Sequence, residues 1–514
     1  MEPKYSKFVS SCKERFPGKY RENFFYDLIF FITVAWAFWV RLPYLGIERM
    51  WPDEALYGWY AQRLLGDPLC LFSKEIIEFH PPLFSFFLAL GQWLMPGETT
   101  LRVVPLIFNV LGLMAIYFLG LRLSGRFLGL FCVLGLSFNY LYCTHAAHIL
   151  IDGTLTTGLM LLALCLWRIH RRENYFKADG LVGVIGGILV LLKWSGLLAV
   201  IWIAAYYLLT LRECPFQLRL KRVALPVMMI LTTTCVLFFN NKIQLGNFIP
   251  DTTALAGLYQ IKPAWYYLLN LHNIFIFPHL IPLFIYGFVR LLMRRNRQDI
   301  LLLLWFVIFF VGIALTAEKV LRYSLLILPV GLLIAGLGLE DILKRLLKSE
   351  SRVGMGRWVC ILLSIVAVVQ LSPRIQKAVA SGMDNTYLGF REAARRIKNL
   401  DSGDGLIVAG SLRIMRYHLG ENFLEYGGRL ANIPPSAREF EQMVAESSKP
   451  VIVAVDHWEA TQPAWIYPLT EEKMEYLKGI GFRLEHVIQR ELNIAAQGHK
   501  QKVPVVWIFS KQPR

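Results

Sequence analysis

Residues 24–40, Phe24-Phe-Tyr-Asp-Leu-Ile-Phe-Phe-Ile-Thr-Val-Ala-Trp-Ala-Phe-Trp-Val40, form the first long apolar run of the chain. Its reading decides the fold. The run is long enough to cross the hydrocarbon core of a bilayer, and no small-residue cleavage site follows it, so it reads as a retained first helix and not as a removed leader. Lys4, Lys7, Lys13, Arg15, Lys19 and Arg21 precede it. By the positive-inside rule the N-terminus then lies in the cytoplasm and the loop that follows lies outside.

The rest of the composition agrees. The 514-residue chain is 55% hydrophobic and 18% charged, with a mean hydropathy of +0.46, which is too apolar for an ordinary soluble domain. The formal charge of +17 points to membrane orientation and not to nucleic acid, because the basic residues fall in short clusters between apolar runs. Eight cysteines, at positions 12, 70, 132, 143, 165, 214, 235 and 360, show no CxxC spacing and give neither a metal nor a disulfide framework.

Further spans are expected over 101–121, 127–143, from Asp152 to Arg168, 181–193, 196–209, 223–239, 271–289, 300–315, 323–339 and 358–371. With the first run this makes roughly eleven transmembrane helices by the apolar-length criterion, N-terminus in and C-terminus out. Residues 1–371 form this membrane module. The outer loop 45–100 is expected to hold two helices along the membrane surface, Pro52 to Leu65 and Pro82 to Leu94. From 372 to 514 the composition becomes that of a small extracytoplasmic α/β domain: Leu406–Ala409, Val451–Val455 and Val503–Phe509 read as buried strands, Ser436-Ala-Arg-Glu439 is a capping box, and Gly479 and Gly481 stop a helix beginning near Thr470. No Gly-rich phosphate loop precedes these helices, so the domain is assigned no cofactor. Its expected work is docking an acceptor or supporting the membrane part, and mere packing suits the sequence as well.

The chemistry is sought first in Arg49-Met-Trp-Pro-Asp-Glu-Ala-Leu-Tyr-Gly-Trp-Tyr-Ala-Gln-Arg63. Pro52 fits the first position of a helix and puts Asp53 and Glu54 in its first turn, where the helix dipole favours negative charge. Acids there are also ordinary helix starts. At a membrane surface, beside Trp51, Tyr57, Trp59 and Tyr60, they gain weight as a site. Ionisable residues beside or inside spans are expensive and mark sites by default. Those without an explanation as cytoplasmic anchors are Asp53, Glu54, His80, Arg102, His145, His148, Asp152, Lys193, His272, Glu318, Lys319 and Arg322, all on the outer side in this topology. Structural alternatives exist for several: Arg102 and Arg322 as snorkelling anchors, Asp152 as an N-cap, His80 as the shape of a helix start. Lys193, in the apolar Leu-Val-Leu-Leu-Lys-Trp, is the hardest to explain that way.

In this order the residues resemble the membrane glycosyltransferases that use polyprenyl-phosphate sugars, including the protein O-mannosyltransferases and the aminoarabinose transferases of lipid A. The resemblance rests on Asp53-Glu54 after the first span, His80-Pro-Pro-Leu83, Arg102 opening the second span, Asp152, Leu-Leu-Lys193, and Arg322-Tyr323 with Leu-Pro329. It covers roughly residues 24 to 340. It implies a GT-C fold, a polytopic helical bundle with an outward-facing cavity, and an inverting hexosyl- or pentosyltransferase of a bacterial inner membrane facing the periplasm. Asp53 would be the catalytic base, with Glu54 and Asp152 orienting acceptor or base. Lys193, Arg322, Arg102 and Tyr323 would hold the donor phosphate, and His80, Trp51 and Tyr57 would contact substrate. Members often carry Lys where His80 stands, and the β-trefoil modules of the eukaryotic protein mannosyltransferases are missing, which favours a bacterial-type enzyme. No cofactor is assigned with it, and a divalent metal ion stays open: His80 with Glu78 or His272 could hold one, though no spacing compels it.

The expected partners are a polyprenyl-phosphate-linked sugar, a glycolipid (lipid A among them), polysaccharide or protein acceptor, and the lipid bilayer, with no nucleic acid. A transporter or flippase of lipid-linked sugars is the alternative, with the same charges lining a path. A receptor-like membrane protein would explain the tail but not Asp53, Lys193 and Arg322.

Overall fold

A computed structural model describes residues 17–512 apart from 78, 146–147, 170–174, 249–261, 276–278, 317–318, 382–386, 402, 459–461 and 495–498. The apolar runs become helices that extend past the runs into their charged flanks: Pro17–Arg41, Glu98–Leu123, Ile151–Arg168, Tyr175–Leu192, Leu198–Thr210, Phe216–Leu245, Arg297–Leu315 and Glu350–Ser381. Among the described residues seven helices are long and apolar enough to cross a membrane, and three shorter apolar ones accompany them, Leu83–Leu94, Arg126–Ser137 and Trp194–Thr210. The chain is a multi-pass helical membrane protein with a small sheet-containing domain near its C-terminus.

Three expected spans are interrupted, for local reasons. The run 127–143 splits into Arg126–Ser137 and Tyr140–His145 because Asn139 spends its amide on the break: its Oδ1 accepts from the Tyr142 N–H at 3.1 Å and its Nδ2 donates to the Ile274 carbonyl at 2.7 Å. The run 271–289 splits into Leu271–Phe275 and Leu280–Arg294, with 276–278 outside the described residues. The run 323–339 opens as a 3-10 turn, Leu321–Leu326, before Pro329 starts the helix Leu328–Leu347 at one of its first positions.

By internal contacts the chain divides into two compact units. The first comprises residues 1–45, 72–84 and 102–379; the second comprises 46–71, 85–101 and 380–514. In the first, small residues let helices approach closely, as expected where lipid supplies no hydrophobic drive to association. A Cβ on Gly120 would lie 2.6 Å from the Cα of Gly129, and one on Gly287 would lie 2.2 Å from the carbonyl oxygen of Ile334.

The second unit is built on a five-stranded sheet of order β2-β1-β3-β5-β4, with β1 Leu406–Ala409, β2 Leu430–Asn432, β3 Val451–Asp456, β4 Arg483–Ile494 and β5 His499–Lys511. Strands β2, β1 and β3 are parallel, whereas β5 runs antiparallel to both β3 and β4. The three apolar strands expected from the sequence are β1, β3 and β5. β2 is only three residues long, and β4 is broken by charged residues, so neither stands out as a run. Val408, Val453, Val455, Phe440, Leu477 and Phe509 pack the core on one side. Ser436 caps the helix expected to begin there, accepting from the Glu439 N–H, and Thr470 likewise caps the helix that begins after it, accepting from the Lys473 N–H.

The helix Pro52–Gly66 belongs to this second unit and packs on Leu412–Leu419. The approach needs a glycine: a Cβ on Gly58 would lie 2.8 Å from the Tyr417 ring. Beside it the buried Arg416 guanidinium lies over Trp59 and Phe423, 3.2 and 3.8 Å from their centroids, a cation held between two π faces.

Candidate active site

In the first unit three of the expected site residues meet. Asp152 stands in the first turn of Ile151–Arg168, after Leu150 in extended conformation. Lys193 follows the end of Tyr175–Leu192, also extended, and leads into the short 3-10 turn Trp194–Leu197. That turn folds back tightly on the helix it leaves, since a Cβ on Gly196 would sit 2.2 Å from the Leu189 carbonyl oxygen. Arg322 and Tyr323 lie on the 3-10 turn Leu321–Leu326.

Lys193 Nζ is 2.7 Å from Asp152 Oδ1, and Arg322 Nε is 3.7 Å from Oδ2. The Tyr323 ring lies under both cations, 4.5 Å from the ammonium and 5.8 Å from the guanidinium carbon. The carboxylate is nearly closed off at 5% exposure, whereas Lys193 and Arg322 keep 14% and 21%. One acid therefore faces two cations, and the cations are on the accessible side of the cluster. Such a site can receive an anion whose charge grows during a reaction.

Beside this cluster the first unit holds a more deeply buried network. Arg102 is 1% exposed; it donates to the Tyr44 carbonyl at 2.8 Å, with its guanidinium over the Tyr44 ring. The Tyr44 hydroxyl bonds His148 Nε2 at 2.7 Å, and the His145 and His148 rings are 5.4 Å apart. Arg102 is thus tied to the backbone of the segment after the first helix. Lys319 is likewise occupied, donating to the Thr316 carbonyl at 2.8 Å.

The remaining expected residues belong elsewhere. Asp53 lies in the second unit, where its Oδ1 is 3.5 Å from Arg413 of the helix Leu412–Leu419. Glu54 is fully buried and accepts from the Trp51 N–H at 3.0 Å, closing the first helical turn. Trp51 lies under the Arg49 guanidinium, and Tyr57 is buried edge-on to Tyr60. His80 is half-buried in the first unit and His272 is exposed on the short helix Leu271–Phe275. Glu78 and Glu318 lie outside the described residues. Among the described residues no group of three or more His, Cys, Asp or Glu is gathered as a metal ion would need.

The sequence reading missed Arg413 and Arg416. They sit on one short amphipathic helix, and nothing in Leu-Arg-Ile-Met-Arg-Tyr-His-Leu marks either as reaching the helix that carries Asp53.

The class of protein follows from these features and from comparison with known proteins. The chain has the GT-C fold of polytopic membrane glycosyltransferases, and the resemblance read from its sequence is borne out. Residues 79–239 match the family model described as dolichyl-phosphate-mannose-protein mannosyltransferase; that segment includes Asp152 and Lys193.

Among solved structures the chain is similar to ArnT from Cupriavidus metallidurans in the apo state, with a TM-score of 0.61 and 15% identity over 93% of this chain and 97% of that one. The same ArnT bound to undecaprenyl phosphate gives a TM-score of 0.60 at 15% identity, covering 94% and 97% of the two chains. The apo oligosaccharyltransferase of Archaeoglobus fulgidus gives 0.56 at 12% identity, covering 83% and 69%. No curated protein matches the chain in sequence.

Proposed function

We propose that the chain is an inverting glycosyltransferase. In this reading it moves a sugar from a polyprenyl phosphate of the undecaprenyl type to a hydroxyl of an extracytoplasmic glycolipid, polysaccharide or protein. The observation that carries the proposal is the Asp152, Lys193 and Arg322 cluster, in which two cations share one carboxylate.

When the anomeric carbon–oxygen bond of a polyprenyl-phosphate sugar breaks, the phosphate leaves with one more negative charge than it had in the donor. Lys193 and Arg322 strengthen their hold as that charge grows, which lowers the barrier and not merely the ground state. Asp152 is read as a positioning residue that keeps the two cations together. The Tyr323 ring supports both cations from below. Asp53 is assigned the acceptor proton: the acceptor oxygen attacks the anomeric carbon, the carboxylate takes the proton, and a single displacement inverts the centre. Glu54, bonded to the backbone of its own turn, is read as fixing the helix that carries Asp53. The undecaprenyl phosphate bound to the similar ArnT supports the same class of donor here. An N-terminus in the cytoplasm, a C-terminal domain outside and a bacterial inner membrane complete the reading.

The test uses the purified full-length chain with a panel of undecaprenyl-phosphate sugars, beside Asp53→Asn and Arg322→Ala. One donor should be consumed. Arg322→Ala should weaken its binding, and Asp53→Asn should bind it and fail to turn over. Undiminished transfer by Asp53→Asn removes the assigned base. Movement of a lipid-linked sugar across reconstituted vesicles without any transfer overturns the enzyme reading.

A further inference from the structure

We propose that a second, separate anion site lies in the C-terminal half of the chain and that it takes a phosphomonoester. Within the second unit a cavity of about 400 Å³ is lined by Glu48, Arg391, Glu392, Arg395, Arg396 and Arg490, with Asn399 at its side. That volume is in the range of small-molecule sites, and four guanidiniums there face two carboxylates.

The pairing inside the cavity is uneven. Arg490 is satisfied twice, at 2.9 Å from Glu48 Oε1 and 2.9 Å from Glu392 Oε2. Burial pushes the Glu48 carboxyl up, but the hydrogen bond and charge of Arg490 outweigh it and hold Glu48 below its ordinary value. Glu48 therefore stays ionised, and both acids are committed to Arg490. Arg391 is paired with Glu98. Arg396 reaches Glu392 only at 3.8 Å, and Arg395, exposed on the same helix, makes no ion pair among the described residues. The cavity thus keeps cationic capacity that its own acids do not absorb.

The helix that carries these residues, Phe390–Leu400, pays for the arrangement locally. Arg391 and Arg395 stand four apart on one face, and like charges at that spacing destabilise a helix. A surface serving only solubility would alternate signs there. Guanidinium forks at this density match an oxyanion with several terminal oxygens, since each fork can give two parallel hydrogen bonds. A phosphomonoester carries three such oxygens and close to two negative charges; a phosphodiester offers two oxygens and one charge. A free phosphomonoester and one on a lipid headgroup present the same chemistry to these forks.

Binding is measured on the full-length chain in neutral detergent, without turnover, so the result is independent of the glycosyltransferase reading. The probes are inorganic phosphate, dihexanoyl phosphatidic acid and, as the phosphodiester control, dihexanoyl phosphatidylglycerol, followed by calorimetry. Saturable binding of phosphate or of phosphatidic acid is expected, at least tenfold tighter than of phosphatidylglycerol. The Arg395→Ala/Arg396→Ala variant should lose tenfold or more in affinity, Arg395→Lys should lose less, and Lys478→Ala should bind as the wild type does. Binding of phosphate but not of phosphatidic acid makes the free anion the ligand, and the converse makes it a headgroup. No saturable binding of either phosphomonoester, equal affinity for the phosphodiester, or unchanged affinity in the double variant overturns the site.

Discussion

Two acids buried in the membrane unit, Asp179 and Asp152, are handled in opposite ways. Asp179 is closed: Arg222 grips it through two hydrogen bonds of 2.8 and 2.9 Å, and the Tyr207 hydroxyl adds a third at 2.8 Å. The pair is neutral and sealed, at 1% and 8% exposure. Asp152 is open: it meets Lys193 at 2.7 Å and Arg322 at 3.7 Å, and the two cations stay partly accessible. Both arrangements bury charge among apolar helices, which is costly unless something is gained. The first gains a fixed packing of the helices Tyr175–Leu192 and Phe216–Leu245. The second gains two cations that stay partly accessible beside one carboxylate, an arrangement worth little for stability and a great deal for binding an anion.

The sharpest way to break this contrast is to remove one cation from each cluster. Arg222→Ala leaves Asp179 uncompensated in the interior and should destabilise the fold by about 3–5 kcal/mol. It should be read as lost folded yield and a lower melting temperature in detergent. Replacing the pair together, Asp179→Leu with Arg222→Met, should recover most of that loss, because a neutral apolar pair owes no desolvation.

Arg322→Ala should do the reverse. Asp152 keeps Lys193, so the fold should melt within a few degrees of the wild type, while sugar transfer falls roughly 100- to 1000-fold, about 3–4 kcal/mol on the barrier, as when one preorganised donor to a developing charge is lost. Lys193→Ala should behave the same way. If Arg322→Ala unfolded the chain as badly as Arg222→Ala, the two clusters would be of one kind.

How much of this contrast is legible in the sequence depends on distance along the chain. The apolar runs show the helices because length and hydropathy are local properties, and Lys193 stands out because its neighbours are all apolar. Asp179 does not stand out, since it follows the basic stretch His170, Arg171, Arg172 and Lys177, and its partner Arg222 reads as one more positive-inside anchor. That the two meet is a matter of helix packing 43 residues apart. The breaks at Asn139 and Pro329 are equally invisible to an apolar-length criterion, which cannot see an amide bonded to a carbonyl of another segment. In the second unit, the contact of Arg413 with Asp53 joins positions 360 apart, and no pattern within Leu412–Leu419 announces it.

A third way of burying a titratable group is to leave it uncharged, and His418 does so. Burial lowers its pKa and the nearby Arg391 charge lowers it further, to about 4 from an ordinary 6.5. The folded chain therefore holds His418 neutral where the unfolded chain would protonate it. Stability from this source is complete above pH 6.5 and falls as the pH drops toward 4, by on the order of 3 kcal/mol. Melting temperature measured between pH 7 and pH 4 should fall more steeply for the wild type than for His418→Phe. Equal slopes would mean that His418 is not held neutral.

The smallest effect is expected at Arg413, and it bears on whether the open cluster acts alone. The contact with Asp53 is long, at 3.5 Å, and both side chains are partly exposed, at 27% and 37%. An ion pair of that kind contributes less than about 1 kcal/mol to folding, so Arg413→Ala should leave the melting temperature nearly unchanged. Its neighbour Arg416, enclosed by Trp59 and Phe423, already fixes how the helix Pro52–Gly66 sits on Leu412–Leu419. What Arg413 adds is the aim of the Asp53 carboxylate. If Asp53 takes the acceptor proton and Lys193 and Arg322 hold the donor phosphate, as proposed, a less constrained carboxylate should lower kcat a few-fold with little change in the KM for donor. A change confined to donor KM would place Arg413 with the phosphate-binding cations instead, and an unchanged kcat and KM would leave the pair a surface contact, with the asymmetry between Asp152 and Asp179 carrying the chemistry without it.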